Sequence, residues 1–143
     1  MTNEDLLPII TRTLIPVPER VPTTAALFGY EFSQQIEPYV YTVSREIAPA
    51  YNGGYWHFYR LSNGGFYMAP DMEHVFSVSC PMNFFQGELS ADALGIVACL
   101  YAYSHLSFGQ PNDFARVCAA QFHHLRNFAG FHPEAVGIFG AID

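Results

Sequence analysis

The pattern of apolar and polar residues predicts a short β section in the middle of the chain. Residues 55–61 are dense in aromatic side chains, and Asn63-Gly64 supplies the positive-φ positions of a tight hairpin turn. Residues 66–69 return as a second strand, and residues 75–80 alternate apolar and polar side chains. We therefore predict a short three-stranded antiparallel meander.

Helical spacing of apolar residues predicts helices on both sides of this meander. One helix begins near Glu37-Pro38, because proline is tolerated in a first turn, and Pro49 stops it. Its apolar face recurs every four residues: Tyr39, Val43 and Ile47.

The C-terminal half is predicted to be helical. Ser90 can cap a helix that reaches about Phe108, and this helix is apolar nearly all round, which indicates a central position. Residues 111–129 place apolar side chains at helical spacing before Gly130, and residues 133–142 form a last short helix. Strands followed by helices favour an α+β fold in which the meander packs against several helices.

The first 22 residues differ from the rest because they contain four prolines. We predict a proline-rich lead-in over residues 1–22, extended and with at most one short helix. Thr23 or Thr24 can then cap a brief helix that ends at Gly29. Residues 23–143 are predicted to form a single domain.

Charge excludes several kinds of nucleic-acid protein. The 143 residues carry 13 acids and 6 basic residues, all arginine, for a net charge of -7. Six dispersed arginines do not supply the clustered positive patch that DNA binding needs, so no direct contact with nucleic acid is expected. Duplex DNA carries one negative charge per ~1.7 Å, a density that 13 scattered acids do not approach. An acidic decoy shaped like DNA is therefore disfavoured, but stays an alternative.

Targeting signals and cysteine usage favour the cytoplasm. The acidic start lacks the basic region of a signal peptide, and the charge-free stretch over residues 93–112 is interrupted by polar residues and proline. Three widely spaced cysteines do not form a disulfide framework. We expect a cytoplasmic protein that does not enter a membrane.

The search for catalytic chemistry leaves one alternative. No HExxH, CxxC, Walker A or GxGxxG motif occurs, so no metal or cofactor site and no catalytic residue is assigned. Cys80 with His57 or His74 could form a Cys–His nucleophile on neighbouring strands, although nothing visible in the sequence lowers the thiol pKa.

Five residues are candidates for contact with a partner. Trp56, Phe58 and Arg60 share one face of the aromatic hairpin, and that face suits either the core or a protein-binding hot spot. Glu88 and Asp92 lie at the start of the central helix, where acids either complement the helix dipole or form an acidic contact point. The sequence alone does not decide between core and hot spot for the hairpin face. It also does not decide between a helix-dipole role and a contact role for the two acids.

Long blocks of the sequence resemble a known family. Residues 51–70 contain YNGGYWHFY and LSNGGFYMAP, and residues 83–97 contain NFFQGELSADA and GIV. Shorter blocks follow at residues 104–107, 132–135 and 141–143. Together they resemble the antirestriction protein family of the KlcA/ArdB type from about residue 25 onward, and the first 22 residues are not covered.

This resemblance implies a function. It implies a cytoplasmic α+β protein of plasmids and other mobile elements, which protects incoming unmodified DNA by inhibiting type I restriction–modification enzymes of the host. It implies no enzymatic activity and no cofactor, and it differs from the acidic DNA-mimic antirestriction proteins. The partner is then the host restriction–modification machinery or a regulator of it, and the oligomeric state is left open.

Overall fold

The computed structural model describes residues 8–143. In chain order the helices and strands of these residues are β1 (Arg12–Leu14), α1 (Val17–Phe28), a π-helical turn (Phe32–Ile36), α2 (Glu37–Ile47), β2 (Trp56–Leu61), β3 (Phe66–Pro70), β4 (Val75–Cys80), β5 (Phe85–Ser90), α3 (Ala91–Ser107), α4 (Asp113–Ala129) and α5 (Ala135–Ile142). The predicted α+β class is confirmed.

The predicted aromatic hairpin is present. β2 and β3 pair antiparallel, with Tyr59 opposite Tyr67. The turn between them uses Gly64 at φ 93°, a conformation that favours glycine, and Asn63 Oδ1 accepts the Gly65 N–H at 3.0 Å. The hairpin pattern in the sequence therefore predicted both strands and the turn correctly.

The third strand of this sheet is not the predicted one. β1 pairs with the free edge of β2, with Arg12 opposite Leu61. β4 instead pairs with β5 in a separate two-stranded ribbon, with Val75 opposite Ser90 and Cys80 opposite Phe85. The prediction that residues 75–80 complete the meander was therefore wrong, although the strand itself and its alternating burial are confirmed.

The cause lies in helix α3, which covers the outer edge of β3. Tyr103 donates its hydroxyl to the Phe66 carbonyl at 2.8 Å, and the Cys99 thiol lies 3.7 Å from the Met68 carbonyl. A Cβ on Gly95 would lie 2.4 Å from that same Met68 oxygen, so only glycine allows the helix to come this close. Because α3 occupies this edge, no strand can pair there.

The lead-in is more regular than predicted. Residues 1–7 lie outside the described residues, but β1 and the first turns of α1 both fall before residue 22. α1 begins at Val17, before the predicted Thr23 or Thr24, because Pro18 fits the first turn of a helix. Pro22 costs one backbone hydrogen bond, and α1 continues through it to the predicted end at Gly29.

Side-chain caps begin two of the later helices: the cap of α3 was predicted, and the cap of α4 was not. Ser90 Oγ accepts the Ala93 N–H at 3.1 Å, and Asn112 Oδ1 caps α4 through the Ala115 N–H at 2.9 Å. α3 is buried along most of its length and forms the centre of the core, between the sheet and the other helices. α2 begins at the predicted Glu37, directly after the π-helical turn, which was not predicted.

Candidate functional site

Part of the predicted contact face of the aromatic hairpin is buried in the core. Trp56 is 3% exposed and Phe58 is 6% exposed. Trp56 Nε1 donates to the Tyr51 hydroxyl at 2.9 Å, and the Phe58 ring packs edge-on against Phe32 and Phe66. Of the two interpretations of this face, the core therefore accounts for Trp56 and Phe58, and neither side chain is presented to a partner in this conformation.

The other three candidates lie on separate elements. Arg60 is exposed on β2 and donates to Thr23 Oγ1 at 3.0 Å. Glu88 is exposed on β5, opposite Ser77 of β4. Asp92 lies in the first turn of α3 and is only partly exposed. The structure does not assemble the five residues into one patch, and their contact with a partner stays a prediction.

Asp92 is the centre of a polar cluster. Arg12 Nη1 donates to Asp92 Oδ1 at 2.6 Å, and the Tyr67 hydroxyl donates to the same oxygen at 2.8 Å. His132 Nε2 lies 2.8 Å from the other carboxylate oxygen, Oδ2. We call these four residues the Asp92 cluster. It joins β1, β3, the start of α3 and the segment before α5, which are up to 120 residues apart in the chain.

The tautomer of His132 follows from its hydrogen-bond partners. Its Nδ1 accepts the backbone N–H of Glu134 at 3.0 Å, so this nitrogen carries no hydrogen. The hydrogen of the neutral ring therefore lies on Nε2 and is donated to Asp92. Because the only ring lone pair is already in use, His132 cannot accept a proton from a substrate in this geometry.

Glu134 serves a neighbouring cap. Its carboxylate accepts the Ser90 backbone N–H at 2.8 Å and the Ser90 hydroxyl at 2.5 Å, while that hydroxyl oxygen caps α3. A depression of about 410 Å³ lies over the Asp92 cluster and this cap. The polar groups that line this depression are hydrogen-bonded to each other. They are therefore better suited to holding chain segments together than to binding a ligand.

The ionisation of Asp92 reflects these contacts. Burial opposes the charged carboxylate, but the hydrogen bonds from His132 and Tyr67 and the charge of Arg12 outweigh it. The pKa of Asp92 therefore lies below its usual value. Burial raises the pKa of Tyr67, so its hydroxyl stays protonated and donates a hydrogen bond to the carboxylate.

The cysteines are not activated. Cys80, Cys99 and Cys118 are buried, and burial raises the pKa of each thiol, to about 12 for Cys99 and about 11 for Cys118. Within residues 8–143, neither His57 nor His74 hydrogen-bonds to Cys80. His57 Nε2 instead lies 2.9 Å from Asp71.

The tip of the β4–β5 ribbon is a second notable surface. Met82 is 87% exposed and Phe84 is 89% exposed, and Phe84 has φ 64°, in the left-handed region that non-glycine residues rarely adopt. Asn83 anchors the turn, because its Nδ2 donates to the Ala141 carbonyl of α5 at 2.9 Å and its Oδ1 accepts the Phe85 N–H at 3.1 Å. We call Met82, Asn83 and Phe84 the ribbon tip.

Sequence reasoning did not find Arg12, Tyr67 and His132 or the ribbon tip. No local pattern marks the first three, because each meets Asp92 only through the fold. The ribbon tip did have a signal, since Pro81 and Asn83 are turn residues that follow a predicted strand.

Two kinds of feature are absent from residues 8–143. There, no group of three or more His, Cys, Asp or Glu side chains is placed to hold a metal ion. No helix in that part of the chain is long and apolar enough to cross a membrane.

Comparison with known proteins gives consistent similarities. Residues 49–143 match the family described as "Antirestriction protein". The chain is 42% identical over 135 residues to antirestriction protein KlcA of Escherichia coli, covering 94% of this chain and 95% of that protein. A second Escherichia coli KlcA is 38% identical over 146 residues, with 100% of both chains covered.

The fold is similar to a solved structure as well. That structure represents the KlcA and ArdB proteins, which are described as having a novel fold and antirestriction activity against type I DNA restriction systems in vivo but not in vitro. It superimposes with a TM-score of 0.89 and 41% identity, over 99% of this chain and 100% of that chain.

Proposed function

The chain belongs to the antirestriction protein family, and on that basis we propose that it protects incoming unmodified DNA by inhibiting type I restriction–modification enzymes of its host. The observation that carries the proposal is the similarity over nearly the whole chain to the KlcA and ArdB proteins, whose activity is directed against type I systems. We further propose that inhibition is non-enzymatic and works through protein contacts, with the restriction machinery or a regulator of it as partner.

The behaviour of the similar proteins supports protein contacts over a DNA decoy. A decoy occupies the DNA-binding surface of the enzyme, so it should also inhibit the purified enzyme. The KlcA and ArdB proteins are active in vivo but not in vitro. Activity that needs the cell is better explained by another cellular component, such as a regulator of the restriction enzyme.

The distribution of charge supports the same view. The charge of Asp92 is paired with that of Arg12, its second oxygen is hydrogen-bonded to His132, and Glu134 is hydrogen-bonded to Ser90. Acids engaged in this way do not present the regular row of free negative charges that imitates a DNA backbone.

The state of the candidate catalytic groups supports a non-enzymatic mechanism. The Cys80 thiol is buried with a raised pKa, so little nucleophilic thiolate is available. His132 has its free lone pair occupied by a backbone N–H. These two residues are thus in the wrong state for a nucleophile and a general base.

We propose the β4–β5 ribbon as the contact surface. It carries the predicted contact Glu88 on its outer face and the exposed apolar side chains of Met82 and Phe84 at its tip. The anchor through Asn83 holds the backbone of this turn in place, which lowers the entropy lost on binding. Arg60 remains a second accessible candidate, next to α1.

A plating assay tests the function. Expression of the gene in a host with an active type I system should raise the plating of unmodified phage, whereas plating of modified phage should not change. Unchanged plating of unmodified phage, with the protein shown to be folded and abundant, would contradict the proposal.

Two further measurements separate the alternatives. Cys80→Ala should keep full antirestriction activity, whereas a Cys–His hydrolase would lose it. The purified protein should not compete with DNA for the purified restriction enzyme. Competition that weakens as salt is raised would instead support the decoy.

A further inference from the structure

A groove lies between helix α1 and the π-helical turn, and none of its lining residues belongs to the Asp92 cluster or the ribbon tip. It encloses about 630 Å³, a size typical of ligand sites. Its lining is mainly apolar and includes Val21 and Ala25 of α1, Phe32 of the π-helical turn and Phe58 of β2. Single π-helical turns occur frequently at functional sites. We call this feature the α1 groove.

Arg20 is the cation of the α1 groove. Its Nη2 donates to the Tyr55 hydroxyl and to the Trp56 carbonyl, both at 2.8 Å, and its Cζ lies 4.4 Å from the centroid of the Phe58 ring. These contacts fix the guanidinium in one orientation before any ligand arrives, which reduces the cost of binding.

The guanidinium keeps unused donors. All of its hydrogen bonds within residues 8–143 come from Nη2, and no carboxylate of that part of the chain lies within ion-pair distance. Nε is buried without a partner, whereas Nη1 is neither bonded nor buried. Arg20 therefore offers Nη1 to an anionic group that enters the groove.

Glu37 is the second charged residue of the α1 groove. Burial raises the pKa of its carboxyl, against the opposing effects of a hydrogen bond with Tyr41 and of the nearby charge of Arg20. A bare anion would be repelled by Glu37. A peptide avoids this problem, because an acidic side chain can pair with Arg20 while a backbone N–H donates to Glu37.

We propose that the α1 groove binds an apolar segment of a protein partner that carries an acidic side chain, which pairs with Arg20. Apolar side chains of the segment cover the exposed Val21 and Ala25, and its backbone lies along the π-helical turn. This inference is independent of the proposed function. Its test uses purified protein without a restriction enzyme, so a negative result would leave the antirestriction proposal in place.

The probes are two peptides that differ in one charge: acetyl-Ile-Asp-Phe-amide and acetyl-Ile-Asn-Phe-amide. Binding to the full chain is followed by NMR shifts of the backbone amides of Ala25, Tyr30 and Ser33, which line the groove. A charge-assisted hydrogen bond is about twice as strong as a neutral one, so we expect the Asp peptide to bind at least about fivefold more tightly.

Three variants locate the effect. Arg20→Gln should erase the preference for the Asp peptide, and Ala25→Trp, an exposed helical position, should weaken both peptides by filling the groove. Arg45→Gln is the matched control, because it removes an exposed arginine of α2 outside the groove and should keep the preference. If Arg20→Gln fails to fold after losing its bonds to Tyr55 and Trp56, Ala25→Trp still blocks the groove with Arg20 intact.

The outcomes decide the proposal. Saturable shifts at the groove amides, a preference for the Asp peptide and weaker binding to Ala25→Trp would support it. Equal affinity for the two peptides, no saturable shift at millimolar peptide, or unchanged binding by Ala25→Trp would overturn it. An equal loss of the preference in Arg45→Gln would also overturn it, because the effect would then come from general charge.

Discussion

The Asp92 cluster and the ribbon tip use their side chains in opposite ways. In the Asp92 cluster, both carboxylate oxygens and both nitrogens of the His132 ring have partners. At the ribbon tip, Met82 and Phe84 expose nearly their whole side chains, and the Phe84 backbone adopts an unfavourable conformation. The polar groups of the Asp92 cluster are hydrogen-bonded within the protein, whereas the ribbon tip exposes apolar side chains to water.

This difference separates stability from contact. A polar cluster with its groups engaged holds distant segments together but has little left to offer a partner. An exposed apolar side chain on an anchored turn adds nothing evident to the fold, and such features mark interaction sites. Substitutions in the Asp92 cluster should therefore change the free energy of unfolding, and substitutions at the ribbon tip should change activity.

The largest effect is expected for Asp92→Asn. The amide would place an NH₂ group opposite either Arg12 or the Nε2–H of His132, both of which are donors. We expect a loss of about 2–4 kcal/mol in the free energy of unfolding, measured by urea denaturation, and a fall in melting temperature of roughly 6–12 °C.

Asp113→Asn is the matched control for that variant. Asp113 also pairs with an arginine, Arg116 at 2.7 Å, but on the open surface of α4. Exposed pairs contribute about 0–1 kcal/mol, so this variant should unfold almost like the wild type. Equal losses from the two variants would mean that the Asp92 cluster is no more than a surface ion pair.

The second prediction concerns Phe84→Asn at the ribbon tip. Asparagine tolerates the left-handed conformation better than phenylalanine, so the free energy of unfolding should stay the same or rise. If the ribbon tip contacts the partner, protection of unmodified phage should fall about tenfold, the equivalent of about 1.4 kcal/mol of binding. The plating assay and urea denaturation of the same variant measure both effects.

Phe108→Asn provides the control for the ribbon tip. Phe108 is just as exposed but follows α3 and is not part of the β4–β5 ribbon, and its φ is negative. Plating should be unaffected by this change. If Phe84→Asn also leaves plating unchanged, the ribbon tip is not the contact surface.

Local patterns in the sequence predicted most helices, strands and turns, but they hold no information about contacts between residues far apart in the chain. The Ser90 cap and the Asn63-Gly64 turn act within a few residues, so both could be predicted. The position of β4 depends on α3, whose Tyr103 and Gly95 occupy the edge of β3, and no local pattern in residues 75–80 contains that information. β1 and the Asp92 cluster were missed for the same reason.

The third prediction concerns Ser90→Ala, at the junction of the Asp92 cluster and the ribbon. This change removes the cap of α3 and one hydrogen bond to Glu134. Loss of a serine cap costs about 1 kcal/mol, so the free energy of unfolding should fall by about that amount in urea denaturation. Ser90→Thr should recover most of the loss, and a failure to recover would place the effect in packing instead of capping.

The smallest effect expected is a dependence of the Asp92 contribution on pH. The pKa of Asp92 is lower in the folded protein than in the unfolded chain, where it is about 3.9. Its contribution to the free energy of unfolding is therefore complete above that value and is lost as the pH falls through the folded pKa.

Urea denaturation of the wild type and of Asp92→Asn at pH 6, 4 and 3 measures this effect. The difference between their free energies of unfolding should narrow as the pH falls. The difference between the wild type and Phe84→Asn should not change with pH, because that substitution alters no titratable group. A constant gap for Asp92→Asn would mean that the shape of the cluster, and not the charge of Asp92, holds its four segments together.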